Sequence, residues 1–536
     1  MRRKLSAILF VLAALSTIAS AAPQEVTMKE AAGKIGRGVM FGTGSATAPN
    51  FAPLMRDVAM KREGKTDVFY MSTFAAESNF SDEVVKKWHP NLFFASPQTR
   101  RVATHAAEGL STIHRESLFS LGKRIQRDEF PIDTVVVRVS PPDKDGMVSL
   151  GTSSDLTMEA ILSVKRRGGQ IIAEVNPNVP HANGNRIPYN DLTWVTKGND
   201  LLSEANRIEP GPPERAIAKH IADLIPDGVR HTLQVGIGNP LAGIGEALQH
   251  KQLDIWSEMG SRAMLDLLKG DHPAARKATF SFVHADNESY RVIHDNPNVH
   301  MLPSTVVNDP AVIAKQPHMV AVNTALEVDI FGNVNAERDG EKVISMPGGQ
   351  PDFMEGAASA PDGKAIMALR STAKGGISTV VMDLKGPTTT PKNHVDHVVT
   401  EFGSTERLRG KSDGFRAYQI ISVSNPLTRA DLAHAAMHRN LITQAEVDKI
   451  VQGIFPALRT SPLEMRLELT NSALEKGLIT RQQHDAIIAE APAAAPIPND
   501  GFADGPPPPP PINFGVPEMP PPPPPINFGF APLPPF

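Results

Sequence analysis

Hydrophobic positions in this chain fall into short β-branched runs separated by stretches with helical spacing. Thr134-Val135-Val136-Val137-Arg138-Val139 and Gln170-Ile171-Ile172-Ala173-Glu174-Val175 are strand-like runs, and Met158–Lys165 between them has the periodicity of a helix. Strand, helix and strand in that order predict a parallel βαβ unit. The prolines and glycine of Ile208-Glu209-Pro210-Gly211-Pro212-Pro213 mark a linker. Beyond it the alternation restarts. A helix is predicted over Ala216–Leu224, a strand over Thr232–Gly236, a helix over Leu241–Gln249 and a strand over Leu253–Trp256. Later strands are predicted at Val299–Leu302, Met319–Asn323, Ala365–Leu369, Thr379–Met382 and Val395–Thr400.

After Pro426 the pattern turns helical and repeats itself. Ala436–Thr443 matches Ala473–Thr480, with the two Leu-Ile-Thr triplets 37 positions apart. Thr443 and Thr480 read as helix N-caps. Further on, six prolines followed by Ile-Asn-Phe-Gly occur at Pro506–Gly515 and again at Pro520–Gly529. Consecutive prolines lack backbone donors and favour extended polyproline II, so this stretch adds nothing to a packed core. It is read as a disordered extension, with docking of its Ile-Asn-Phe units to a protein partner as the alternative.

At the other end, Arg2-Arg3-Lys4 precedes an apolar run from Leu5 to Ile18 and the small residues Ala19-Ser20-Ala21. That order is the pattern of a cleavable signal peptide, which predicts a periplasmic or secreted protein starting near Ala22.

A length of 536 residues is too great for one core, so two or more domains are expected. A net charge of −4 gives no reason to expect nucleic acid as a partner. The absence of cysteine excludes disulfides, thiol catalysis and cysteine metal sites.

The chemistry centres on Leu253-Asp254-Ile255-Trp256-Ser257-Glu258-Met259-Gly260, where a strand-like run gives way to the helix-like Ser261–Leu268. In a sheet with alternating helices, the carboxyl ends of strands open onto the ligand crevice. A glutamate there can act as a nucleophile on an activated acyl group if water is kept out. By pattern alone most acidic residues at strand ends are caps or surface charges.

Two glycine loops offer backbone donors. Gly236-Ile237-Gly238-Asn239 joins a strand to a helix, and Gly348-Gly349-Gln350 precedes Pro351-Asp352-Phe353. Either could be a simple turn. Phe41-Gly42-Thr43-Gly44-Ser45 is a further ambiguous loop. His434 and His438 lie one helical turn apart, but no third ligand or His-Glu-x-x-His pattern accompanies them, so no metal site is expected. A Gly-x-Ser-x-Gly elbow and a Walker loop are both absent from the sequence.

A collinear series of blocks spans roughly residues 30 to 425. It begins with Ser140-Pro141-Pro142-Asp143, Gly146 and Ser149-Leu150-Gly151, followed by Ile172-Ala173-Glu174-Val175-Asn176-Pro177-Asn178. Gly236–Asn239, Trp256-Ser257-Glu258-Met259, Val307-Asn308-Asp309-Pro310 and Asn323 with Ala325–Asp329 come next. Gly332, Val334–Glu337, Gly348-Gly349-Gln350 with Asp352-Phe353, Ser371–Lys374 and Val399–Gly403 complete it. In this order the blocks resemble the acetyl-CoA hydrolase / acetate or 4-hydroxybutyrate CoA-transferase family. Two departures stand out: Pro351 occupies a position usually small or β-branched, and Ser404–Gly410 is one residue longer than the family's stretch.

The resemblance implies an α/β fold of two related CoA-transferase-like (NagB/RpiA-like) domains. The expected division is a signal peptide at 1–21, an N-terminal α/β domain at 22–207 and a C-terminal α/β domain carrying the catalytic glutamate at 214–426. A helical repeat segment at 427–491 and a proline-rich tail at 492–536 complete it. Glu258 fills the family's catalytic position, with Gly236, Ile237, Gly238, Asn239, Gly348, Gly349 and Gln350 as oxyanion and CoA contacts. Coenzyme A enters as a thioester substrate, with a small carboxylic acid as second substrate and no metal. The implied reaction passes from an acyl-glutamyl anhydride to a glutamyl-CoA thioester on Glu258. Hydrolysis through the same glutamate is one alternative, and an exported, catalytically idle binding or scaffold protein is the other. Export would set this chain apart from the family's cytoplasmic and mitochondrial members. Homo-oligomerisation stays open.

Overall fold

The computed structural model describes residues 22–43, 50–70, 81–94, 100–270 and 272–490. The expected signal peptide, the proline-rich tail and Gly44-Ser45 of the Phe41–Ser45 loop lie outside the described residues.

The strands predicted from β-branched runs are the centre of a first eight-stranded sheet. In spatial order it contains Gln24–Glu25, Trp194–Lys197, Gln170–Val175, Thr134–Val139, Gly38–Phe41, Asp67–Tyr70, Pro90–Leu92 and Thr112–Ile113. Every neighbouring pair is parallel. All six residues of Thr134–Val139 are buried, as expected where helices cover both faces of a parallel sheet. The helix Asp155–Arg166 makes the crossover to Gln170–Val175 and contains the predicted Met158–Lys165.

A second eight-stranded sheet repeats the architecture. Its order is Val299–Met301, Ala275–Val283, Leu253–Gly260, His231–Val235, Met319–Thr324, Lys364–Ala368, His397–Thr400 and Gly403–Ser404, with only the last strand antiparallel. The chain is therefore a mixed α/β protein built on two parallel sheets.

Several local expectations are corrected. The strand read as ending at Trp256 runs on to Gly260, because Ser257, Met259 and Gly260 pair with Phe280, Phe282 and Val283. Glu258 thus lies inside the carboxyl end of a strand. Pro212 and Pro213, read as linker, are the first turn of the helix Pro212–Asp223, where a missing N–H costs nothing. Leu241–Gln249 is a 3₁₀ turn at Asn239–Leu241 followed by a short helix at Ile244–Leu248. Thr379–Met382 contributes only Val380–Val381, and that pairs in a small separate sheet with Glu327–Asp329.

The two sheets are sewn together beside Glu258. The Val283 N–H donates to the Thr152 carbonyl at 2.7 Å, Ser154 N–H to Ser281 at 2.9 Å and Met301 N–H to Asn183 at 2.7 Å. The first half thus docks directly on the strand adjoining the one that carries Glu258.

From Pro426 onward the chain is helical. Thr443 and Thr480 each open a helix with a capping box, to Glu446 and Gln483 respectively. Ala433, Ala436, Ile442, Val447 and Ile450 pack against Ile330, Ala417 and Ile421, which anchors this segment to the second sheet's domain.

Candidate active site

Strand pairing explains where the Glu258 carboxyl goes. Its strand is held on both sides, and its end opens into a cleft of about 780 Å³. The cleft is lined by Glu258 together with Gly236, Ile237, Gly238, Asn239, Gly348, Gly349 and Gln350. All eight residues singled out from the sequence therefore reach one site, of a size that accommodates an organic ligand. A second cleft of about 500 Å³ adjoins it, sharing Val235–Gly238, Met259 and His284.

The two loops stand differently toward Glu258. A Cβ on Gly349 would fall 1.6 Å from Oε2 of Glu258 and 2.2 Å from Nδ2 of Asn308, so only glycine permits the approach. Gly349 is also the N-cap of the helix Gln350–Ser359, whose N-terminus directs positive potential toward the carboxylate. Pro351 lies within the first turn of that helix, a position that suits proline, so the departure from the family pattern leaves the loop intact. The Gln350 side-chain amide is engaged by the Thr390 hydroxyl at 3.1 Å, leaving its backbone as the part available to a ligand.

The first loop is set by other contacts. A Cβ on Gly236 would lie 2.5 Å from Oδ1 of Asn323, whose amide pairs reciprocally with Gln234 at 3.2 and 3.1 Å. Gly238 has φ +151°, and a Cβ there would meet Thr324 at 2.4 Å. Ile237, Gly238 and Asn239 are exposed, so this loop presents its surface to a ligand.

Two residues that sequence reasoning gave no role complete the centre. The Asn308 amide donates to Oε2 of Glu258 at 2.7 Å and reaches Oδ2 of Asp352 at 3.4 Å. Asp352 is 4% exposed and accepts from the Phe119 N–H at 3.2 Å. Phe119 belongs to the first half of the chain, and the neighbouring Leu118 N–H donates to the Gly348 carbonyl at 3.1 Å. The N-terminal half thereby fixes the second glycine loop. In the sequence Asn308 and Asp352 stand only within the family-like stretches Val307–Pro310 and Gly348–Phe353. Their role depends on a long-range contact that spacing does not encode.

Electrostatics follow from this packing. Burial pushes the Glu258 carboxyl up to about 7; the Asn308 hydrogen bond opposes the rise and the nearby Asp155 charge adds to it. Burial pushes Asp352 up to about 8, against the hydrogen bonds from Ser117 and Phe119 and with the Glu258 charge adding to the rise. Both carboxyls are thus held well above the ordinary carboxylate range, Asp352 the higher of the two. His434 and His438 are exposed on the helix Pro426–His438, in the helical segment outside both sheets.

Residues 24–203 match the acetyl-CoA hydrolase/transferase N-terminal domain and residues 286–436 match its C-terminal domain. The chain is 38% identical over 316 residues to 4-hydroxybutyrate coenzyme A transferase of Clostridium kluyveri, covering 56% of this chain and 72% of that protein. It is 34% identical over 333 residues to succinyl-CoA:cyclohexane-1-carboxylate CoA transferase of Geobacter metallireducens, covering 60% and 74%. Among solved structures, RipA from Yersinia pestis superposes with a TM-score of 0.70 at 27% identity, covering 78% of this chain and 98% of RipA. With both family domains present in order around one cleft, the chain belongs to the acetyl-CoA hydrolase/transferase family of enzymes.

Proposed function

We propose that this protein is a CoA-transferase that moves CoA from a short-chain acyl-CoA to a carboxylic acid through covalent intermediates on Glu258. One observation carries the reading: a carboxylate at a strand's carboxyl end, held by Asn308 at 2.7 Å and pressed against Gly349, faces a cleft lined by both glycine loops. Carboxylates are weak nucleophiles in water, and the partial burial of this one reduces the hydration that weakens it.

In the first step, an Oε of Glu258 bonds to the acyl carbonyl carbon and the carbon–sulfur bond breaks, giving an acyl-glutamyl anhydride and CoA thiolate. The thiolate then attacks the glutamyl carbonyl and expels the acyl group as its carboxylate, leaving a glutamyl-CoA thioester. The acceptor carboxylate attacks that thioester, and the same two steps run in reverse to release the new acyl-CoA. Each tetrahedral intermediate carries an oxyanion. The Asn308 amide and the backbone around Gly349 are placed to hold charge on the glutamyl oxygen, and Gly236–Asn239 offers backbone donors elsewhere in the cleft. The adjoining cleft gives the remainder of a long thioester room to bind, and that binding energy can be used at the reacting centre.

Transfer is favoured over hydrolysis because the complete loop set would be wasted on an anhydride open to water. The test is isotope exchange. Labelled acetate incubated with acetyl-CoA and the protein should appear in acetyl-CoA, faster than free CoA accumulates. Release of CoA without exchange would assign hydrolysis, and neither reaction would leave a binding role.

A further inference from the structure

We infer that Glu159, in the N-terminal half, is a positioning residue for the transfer reaction: it fixes the backbone that carries Asn308, and through it the hydrogen bond to Glu258. The inference rests on Glu258 being the nucleophile and Asn308 its donor. Asn308 follows directly on a single helical turn, Ser304–Val307. Oε1 of Glu159, from the helix Asp155–Arg166, accepts from the Thr305 N–H in that turn at 2.9 Å. The Thr305 hydroxyl accepts from the Gln126 amide at 3.0 Å. Gln126 closes the helix Leu118–Gln126, whose first residues hold Gly348 and Asp352. One helix of the N-terminal half therefore touches both segments that meet Glu258, and Glu159 adds the contact to the Thr305 backbone.

The turn is pinned at both ends. The Trp256 indole N–H, two positions before Glu258 on its strand, donates to the Val307 carbonyl at 2.9 Å. The Ser304 and Ser281 hydroxyls are 2.9 Å apart. With Glu159 at Thr305, these contacts set where the Asn308 amide points. The margin is small: the amide lies 2.7 Å from Oε2 of Glu258, and a shift of about 1 Å takes it out of hydrogen-bond range. Glu159 itself is 1% exposed. Burial pushes its carboxyl up to about 8, with the Thr305 hydrogen bonds opposing the rise and the Asp155 charge adding to it. A carboxyl is a costly way to fill a core position that an apolar side chain would fill more stably. What it supplies, and an apolar side chain cannot, is an acceptor for the Thr305 N–H.

The experiment measures exchange of labelled acetate into acetyl-CoA with the full chain. Glu159→Met keeps the bulk and removes the acceptor. It should lower kcat by about 10- to 100-fold, with KM for acetyl-CoA within about 3-fold of wild type. Glu159→Gln keeps the acceptor and should recover most of that loss. In an Asn308→Ala background Glu159→Met should cost less than about 3-fold, because the donor it positions is already gone. An undiminished loss in that background, a wild-type kcat in folded Glu159→Met, or equal losses in the Met and Gln variants overturns the inference. Should Glu159→Met fail to fold, Gln126→Ala, at an exposed position, carries the same cycle. A kcat loss of about 3-fold or more that vanishes beside Asn308→Ala then supports the inference, and no loss, or one that persists there, overturns it. Exchange that survives Glu258→Ala would instead reject the nucleophile assignment, and the inference would fall with it.

Discussion

The side-chain amide of Asn308 lies 2.7 Å from Oε2 of Glu258, from a loop fifty residues further along the chain. It is the one hydrogen bond among the described residues that opposes the rise in the glutamate's pKa. Removing it should therefore have two effects that a purely structural role would not combine. Asn308→Ala should lower kcat by about 100- to 1000-fold, as loss of one oxyanion-type donor does, and should move the acid limb of the pH–rate profile to higher pH. A fall in rate with no movement of that limb would place Asn308 outside the reacting centre.

Because the nucleophile must be ionised, activity should rise with pH. With the Glu258 carboxyl pushed up to about 7, kcat/KM should increase through that region, well above the range of an ordinary carboxylate. Asp352 is more strongly raised and its ionisation adds a like charge, so the profile should flatten or fall beyond about 8. A profile flat from pH 5 to 8 would contradict this electrostatic picture.

The same shift predicts a stability difference. A carboxyl whose pKa is higher folded than unfolded binds more protons in the folded state, so folding loses stability as pH rises from its ordinary value of 4.5 through about 7. Glu258→Gln keeps an oxygen for Asn308 and removes the charge. The variant should match the wild type in stability at pH 4.5 and exceed it at pH 8 by about 3 kcal/mol, read as a higher melting temperature. Thermal melts across this range test it. A variant gain that shrinks as pH rises would refute it.

Gly349 can be replaced only at the site's expense. Alanine there would place Cβ 1.6 Å from the Glu258 carboxylate, so the glutamate or the helix Gln350–Ser359 must move. Gly349→Ala should abolish transfer, whereas Gly228→Ala, at a turn whose Cβ would meet nothing within 4 Å, should cost stability through its φ of +77° and leave transfer near wild type. Equal activity in the two variants would argue against close packing at Gly349.

How much of this could be read in the sequence depended on how local each feature is. Thr134–Val139 and Gln170–Val175 announce themselves because strands covered on both faces are nearly continuous apolar runs. Gly38–Phe41, Asp67–Tyr70 and Pro90–Leu92 do not, being three or four residues long and opening with glycine, aspartate or proline. Ala275–Val283 is masked by exposed Arg276 and Lys277 within it. The strand bearing Glu258 looked shorter than it is because Ser257, Glu258 and Gly260 break the apolar run, and pairing with Phe280–Val283 keeps them extended. Glu258 and both glycine loops were legible as motifs. Asn308 and Asp352 were not, since what gives them meaning is the fold that brings residues 258, 308, 349 and 352 within contact.

The central claim is a covalent bond to one side chain, and trapping that bond tests it most directly. The protein is incubated with acetyl-CoA, quenched with hydroxylamine or borohydride, digested and read by mass spectrometry. The expected result is modification at Glu258, dependent on acetyl-CoA and absent from Glu258→Ala, with exchange activity lost in the same variant. An unmodified Glu258 in a protein that still transfers CoA, or a Glu258→Ala form as active as wild type, would contradict the mechanism.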